Sequence, residues 1–135
     1  MKSRASLIRL KRFQVDEKRR QVMQIESMIA EFSRMAGELD EQIQLEQSRT
    51  GITDVSHFAY STFARAAMQR RDNLRGSAAE LGDQLSAAQD ALAEAVEELK
   101  KIELIEERDQ QRERAAGEAV EQEQLDEIAR RTAAR

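Results

Sequence analysis

Counting by sevens from Ile8 gives Val15, Val22, Ile29, Ala36 and Ile43, an unbroken column of apolar residues. A companion column, Lys11, Lys18, Ile25, Phe32 and Leu39, is polar only in its first two layers. These are the a and d positions of a heptad repeat, which an α-helix gathers onto one face. One helix alone cannot bury such a seam. It needs a partner helix.

The second half of the chain offers one. Tyr60, Ala67, Leu74, Leu81, Ala88, Ala95 and Ile102 form one column, and Ala64, Arg71, Ala78, Leu85, Leu92 and Leu99 form the other. Charged residues make up 36% of the chain and aromatics 4%, a balance that disordered chains share. The periodicity decides for helix, and the absence of proline leaves nothing to break a long one.

Between the seams, Ser48 to Ser56 is the one stretch dense in turn and cap residues. Gly51 can take a positive φ at little cost, and Asp54 or Ser56 can cap the following helix. The expected fold is therefore all-α. It is a single antiparallel coiled-coil hairpin over 1–135, with helix 1 at about 5–48, a turn at about 49–55 and helix 2 at about 56–131. A fold near Gly51 sets Ile43 facing Tyr60 and Ile8 facing Ala95. It also brings the basic start of the chain (eight Lys or Arg against Asp16 and Glu17 in the first twenty residues) beside Glu94, Glu97 and Glu98. A four-helix dimer of hairpins satisfies the same columns.

Helix 2 outruns helix 1. Beyond Ile105 the seam positions pass to Glu106, Asp109 and Glu113, and the paired region is expected to end near Ile102. At a rise of ~1.5 Å per residue, residues 104–131 would project about 40 Å as a helix end. Apolar residues return there at Ala115, Ala116, Ala119, Val120, Leu125, Ile128 and Ala129. Two readings stand: a solvated tail, or a helix that orders against a partner.

Other departures also carry two readings. Gly37, Gly76, Gly82 and Gly117 interrupt helix and signify either looseness or close approach, the latter best placed at Ala36-Gly37 opposite Ala64, Ala66 and Ala67. Phe58, Tyr60 and Phe63 cluster after the turn, of which only Tyr60 lies on a seam column. They either pack into the turn or present a docking face.

Catalytic chemistry has no foothold. His57 is the only histidine and reads as a surface or capping residue; cysteine is absent, and no metal-ligand spacing or Gly-rich phosphate loop occurs. The reading is no enzyme, no cofactor and no metal. A net charge of −4 does not suggest nucleic acid. Basic residues interrupt any apolar core of a signal peptide, and no run reaches the ~20 apolar residues of a membrane span. A cytoplasmic protein is expected.

The C-terminal run Leu125-Asp126-Glu127-Ile128-Ala129-Arg130-Arg131, after Glu106-Glu107-Arg108, resembles the end signature of the flagellar export protein FliJ family. His57-Phe58-Ala59-Tyr60 through Gln69-Arg70-Arg71-Asp72-Asn73-Leu74 resembles that family's second-helix start. The resemblance implies a soluble component of the flagellar type III export apparatus, similar in shape to the central stalk of rotary ATPases. Its implied partners are the hexameric export ATPase, the cytoplasmic domain of the membrane export gate, and export chaperones. It implies a location peripheral to the inner membrane at the flagellar base. The gate-binding surface would fall on Ala59, Phe63, Ala66 and Arg70, joined by the tip aromatics Phe58 and Tyr60. The ATPase contact would fall on Leu125, Asp126, Glu127, Ile128 and Arg131. Alternative readings are an injectisome stalk protein, a dimerising coiled-coil scaffold unrelated to secretion, and a nucleic-acid binder using the basic N-terminal end.

Overall fold

The computed structural model describes residues 2–134, with side chains from Arg4 to Ala134. The end residues of the expected 1–135 hairpin and the Lys2 side chain therefore lie outside the described residues. Two helices make up the fold: α1, Lys2–Thr50, and α2, Thr62–Ala133. The chain is an antiparallel two-helix hairpin. Its described residues divide into two compact units, Asp16–Ala93 and a second made of residues up to Val15 with Glu94 onward.

In the Asp16–Ala93 unit, the seam columns hold the core. Val22, Ala36, Leu39 and Ile43 of α1 are buried, as are Ala64, Ala67 and Leu81 of α2 and Tyr60 just ahead of it. Leu39, Ile43 and Ala67 form one cluster, with Met68 and Leu74 packed against it. Burying each large aliphatic side chain contributes about 1.5–3 kcal/mol before entropy is subtracted.

The register differs from the one a fold at Gly51 requires. Ile43 packs against Ala67 rather than Tyr60, one heptad further along α2. Asp40 meets Arg71, where a fold at Gly51 would set it opposite Phe63. The cause is the connection. Residues 51–61 are all non-helical, and α2 begins at Thr62 rather than near 56.

Side chains in the connection stabilise its shape. Gly51 terminates α1 at φ 74° while its N–H donates to the Gln47 carbonyl, a left-handed cap that Gly adopts cheaply. The Asp54 carboxylate accepts from both the Ser56 N–H at 3.0 Å and its hydroxyl at 2.7 Å. Successive turns follow, His57 N–H to the Asp54 carbonyl and Tyr60 N–H to the His57 carbonyl. Ser61, rather than Asp54 or Ser56, caps α2: its Oγ accepts the Ala64 N–H at 3.2 Å.

In the other unit, α1 contributes buried Ile8 and Val15, and half-buried Ala95, Leu99 and Ile102 of α2 lie on the seam. Lys11 pairs with Glu98 at 3.0 Å, again about one heptad beyond the expected register, which carries Ile8 from the level of Ala95 to that of Ile102. Pairing also runs past Ile102. Arg4 meets Glu106 at 3.1 Å and bonds Asp109 as well, and Arg12 meets Glu103 at 3.1 Å. Of the acidic residues expected beside the basic start, Glu98 is thus joined by Glu103, Glu106 and Asp109. From Gln110 to Ala134 every side chain is exposed.

Candidate partner-binding surfaces

The expected tip group separates into packed and presented residues. Tyr60 is 6% exposed: its hydroxyl accepts from Gln47 Nε2 at 2.9 Å and faces Met68 Sδ at 3.6 Å. The Arg65 guanidinium lies 5.5 Å from the Tyr60 ring centre and donates to the Val55 carbonyl at 3.0 Å. Tyr60 is therefore a core residue of the connection, and Arg65 ties the loop to α2. Phe58, by contrast, is 95% exposed and stacks on His57 at 4.7 Å. His57 Nδ1 accepts the Ala59 N–H at 3.0 Å, so the imidazole is a turn cap.

Phe63, Ala66 and Arg70 are all exposed, and their spacing along α2 sets them on one face beside the buried Ala64 and Ala67. Ala59 does not continue that face. It lies in the connection, three residues before α2 begins, where helical spacing no longer applies.

At the far end of α2, Leu125 and Ile128 are 61% and 58% exposed and neighbour each other at i, i+3. Asp126 accepts from Gln122 at 3.0 Å, and Glu127 pairs with Arg131 at 2.8 Å, so their charges are already spanned within the helix. Such solvated pairs exchange partners easily.

Several contacts lie outside the periodic seam pattern of the sequence. Arg71 sits in a seam column yet binds Asp40 at 2.8 Å, and Arg75 reaches the other oxygen of the same carboxylate at 2.5 Å. Glu46 accepts from Ser61 at 2.9 Å and pairs with Arg49 at 2.6 Å. Its carboxyl is held below its usual range first by the Arg49 bond, then by Ser61. A serine three residues ahead of Ala64 was the available signal for the cap, but the paired Glu or Gln of a capping box is absent.

A surface hollow of about 500 Å³ lined by Gln44, Gln47, Ser48, Gly51 and Thr53 is open to solvent, unlike a pocket that encloses a small ligand. Among the described residues no group of three or more His, Cys, Asp or Glu is placed to hold a metal. No described helix is long and apolar enough to cross a membrane. Arg4, Lys11 and Arg12 are committed to carboxylates of α2, and Arg19 and Arg20 to Asp16 and Glu17 of their own helix.

These features define the class of the protein, an all-α antiparallel coiled-coil hairpin with an exposed aromatic in its connection and an exposed end to α2. The sequence matches the family described as Flagellar FliJ protein over residues 5–135, nearly the whole chain. The chain belongs to the FliJ family and is a component of flagellar type III export. Neither the curated proteins nor the solved structures provide a match.

Proposed function

We propose that this chain is the non-enzymatic stalk of the export ATPase, a soluble cytoplasmic protein working at the inner-membrane base of the flagellum. In this reading the single hairpin acts as one functional domain. The end of α2, through Leu125, Asp126, Glu127, Ile128 and Arg131, contacts the hexameric ATPase. Phe58, Phe63, Ala66 and Arg70 dock on the cytoplasmic domain of the export gate, with Ala59 at the edge of that surface and Tyr60 beneath it. Export chaperones are the third class of partner.

The observation that carries the reading is the stretch Gln110–Ala134. It is helical to Ala133, exposed throughout, and bears apolar Val120, Leu125 and Ile128 among charges. A lone helix of this kind gains little stability from its own chain and much from a surface that covers its apolar stripe. It brings no catalytic group, so it acts on an ATPase by biasing subunit interfaces while the ATP chemistry stays in the partner. Charged contacts suit this role because they are weak and reversible.

The test is removal of residues 115–135, measured with the cognate export ATPase. The truncated hairpin is expected to retain the Arg4–Asp109 pairing and to lose stimulation of ATP hydrolysis. Full stimulation by the truncated chain would refute the assignment of this end.

A further inference from the structure

Within each unit the two helices are held by a different balance of apolar burial and ion pairing. Every buried residue of α2, Ala64, Ala67 and Leu81, lies in the Asp16–Ala93 unit. In the other unit α2 contributes only half-buried seam residues, and α1 contributes two buried ones, Ile8 and Val15. Lys11 occupies the seam layer between them and turns to Glu98. Ion pairs to Glu98, Glu103, Glu106 and Asp109 fasten α1 at two levels, through the adjacent Lys11 and Arg12 and, two turns earlier, through Arg4.

We infer that residues 4–15 of α1 form a salt-sensitive clasp on residues 94–109 of α2, able to open while the Asp16–Ala93 unit stays paired. Arg4 and Lys11 both stand in the d column, where an apolar residue would fasten the helices independently of salt. The pairs range from partly covered, with the Arg4 and Glu106 side chains 26% and 18% exposed, to open, with Arg12 and Glu103 at 60% and 40%. Screening reaches such charges directly, and the pairs weaken as ionic strength rises. In the other unit the ion pairs of Arg71 and Arg75 to Asp40 accompany a buried apolar seam, and burial of that kind is not weakened by salt. Opening bares Ile8 and Val15 on one side and Leu99 and Ile102 on the other, a pairing surface otherwise covered.

The chain has no cysteine, so spin labels can be placed uniquely. One pair, Ser6→Cys with Glu107→Cys, reports the clasp. A second, Ser33→Cys with Ser77→Cys, reports the Asp16–Ala93 unit. All four positions are exposed. Between about 0.05 and 1 M NaCl the ratio of open to closed clasp is expected to rise roughly tenfold, seen as a long-distance component for the first pair. The second pair keeps its short distance. Adding Arg4→Gln and Arg12→Gln to the first pair should produce the long component already at low salt. A first-pair distance that ignores salt, or two pairs that lengthen together, would overturn the clasp.

Discussion

Arg71 stands in the same seam column as Ala64 and Ala78, yet its guanidinium lies 2.8 Å from the Asp40 carboxylate. The Asp40 bond raises the Arg71 pKa above its ordinary value, with a smaller contribution from Asp72, so the charge is permanent. A charged residue at a seam position stabilises little but penalises every register that leaves it without its partner. One heptad toward a fold at Gly51, Asp40 would face the apolar Phe63 region instead. The pair is thus a register lock.

Replacing Asp40 with Ala should cost only about 0.2–1 kcal/mol, the range for accessible pairs, read by thermal denaturation. Arg71→Leu should be neutral or stabilising, because leucine fills the seam without desolvating a charge. The register should nevertheless loosen in both variants. A large loss of stability in Arg71→Leu would show that the ion pair is a structural necessity rather than a selector.

The same lock is visible by crosslinking. Cysteines at Ile43 and Ala67, which share one cluster, should oxidise within a single chain in high yield. Cysteines at Ile43 and Tyr60 should do so poorly. Crosslinks forming chiefly between chains would point to an intermolecular pairing.

These register results explain what the sequence could and could not reveal. Both pairs of seam columns were legible because a heptad pattern is periodic. A slip of one heptad moves Ile43 from Tyr60 to Ala67 and leaves every column on the seam, so periodicity cannot choose between them. The choice lies in the length of the connection. That length depends on local bonds of Asp54, Ser56, His57 and Ser61, each of which also serves as an ordinary helix or turn residue. The surfaces were legible in the same partial way. Phe58 and Phe63 are off the columns and are exposed, whereas the Arg65 contacts that seat Tyr60 have no sequence period to announce them.

The helix glycines can be tested separately. A Cβ built at Gly37, Gly76, Gly82 or Gly117 meets nothing within 4 Å, so no close approach requires a glycine, including at Ala36-Gly37. Each Gly→Ala change should therefore stabilise its helix by up to about 1 kcal/mol, read from helicity and melting temperature. Gly51→Ala should do the opposite, since its φ of 74° strains an L-residue. Destabilisation at Gly37 would reveal a need for bending that packing does not show.

Acid should loosen the connection before it melts the seam. Asp54 is held below the usual aspartate range by the Ser56 hydroxyl first and the Ser56 N–H second. Its folded pKa is depressed, so the stabilisation is present above the ordinary aspartate value and is lost as pH falls through the lower folded value. Glu46 follows the same sign through Arg49 and Ser61. Amide resonances of Ser56 and Ala64 should shift in that acidic window while those at the buried seam residue Val22 remain in place. Simultaneous loss of both sets would mean that the carboxyls report global unfolding.

Docking and packing at the tip respond differently to mutation. Phe58 is almost wholly exposed, so Phe58→Ala removes little buried surface and should change the melting temperature negligibly. Phe63→Ala, at 56% exposure, should cost little more. Tyr60→Ala deletes a buried ring, frees Gln47 from its bond and removes the surface under Arg65, and should destabilise the hairpin by about 2–4 kcal/mol. Binding to the cytoplasmic domain of the export gate should respond in a different order. Phe58→Ala and Phe63→Ala should weaken it at unchanged helicity, because exposed aromatics that a partner covers dominate interface energies. Tyr60→Phe keeps the ring and should preserve binding while losing only the hydroxyl contacts. Affinity measured by calorimetry alongside circular dichroism distinguishes the cases. Unchanged gate affinity in the Phe58 and Phe63 variants, with helicity intact, would remove the tip from the docking surface and leave Tyr60 its packing role alone.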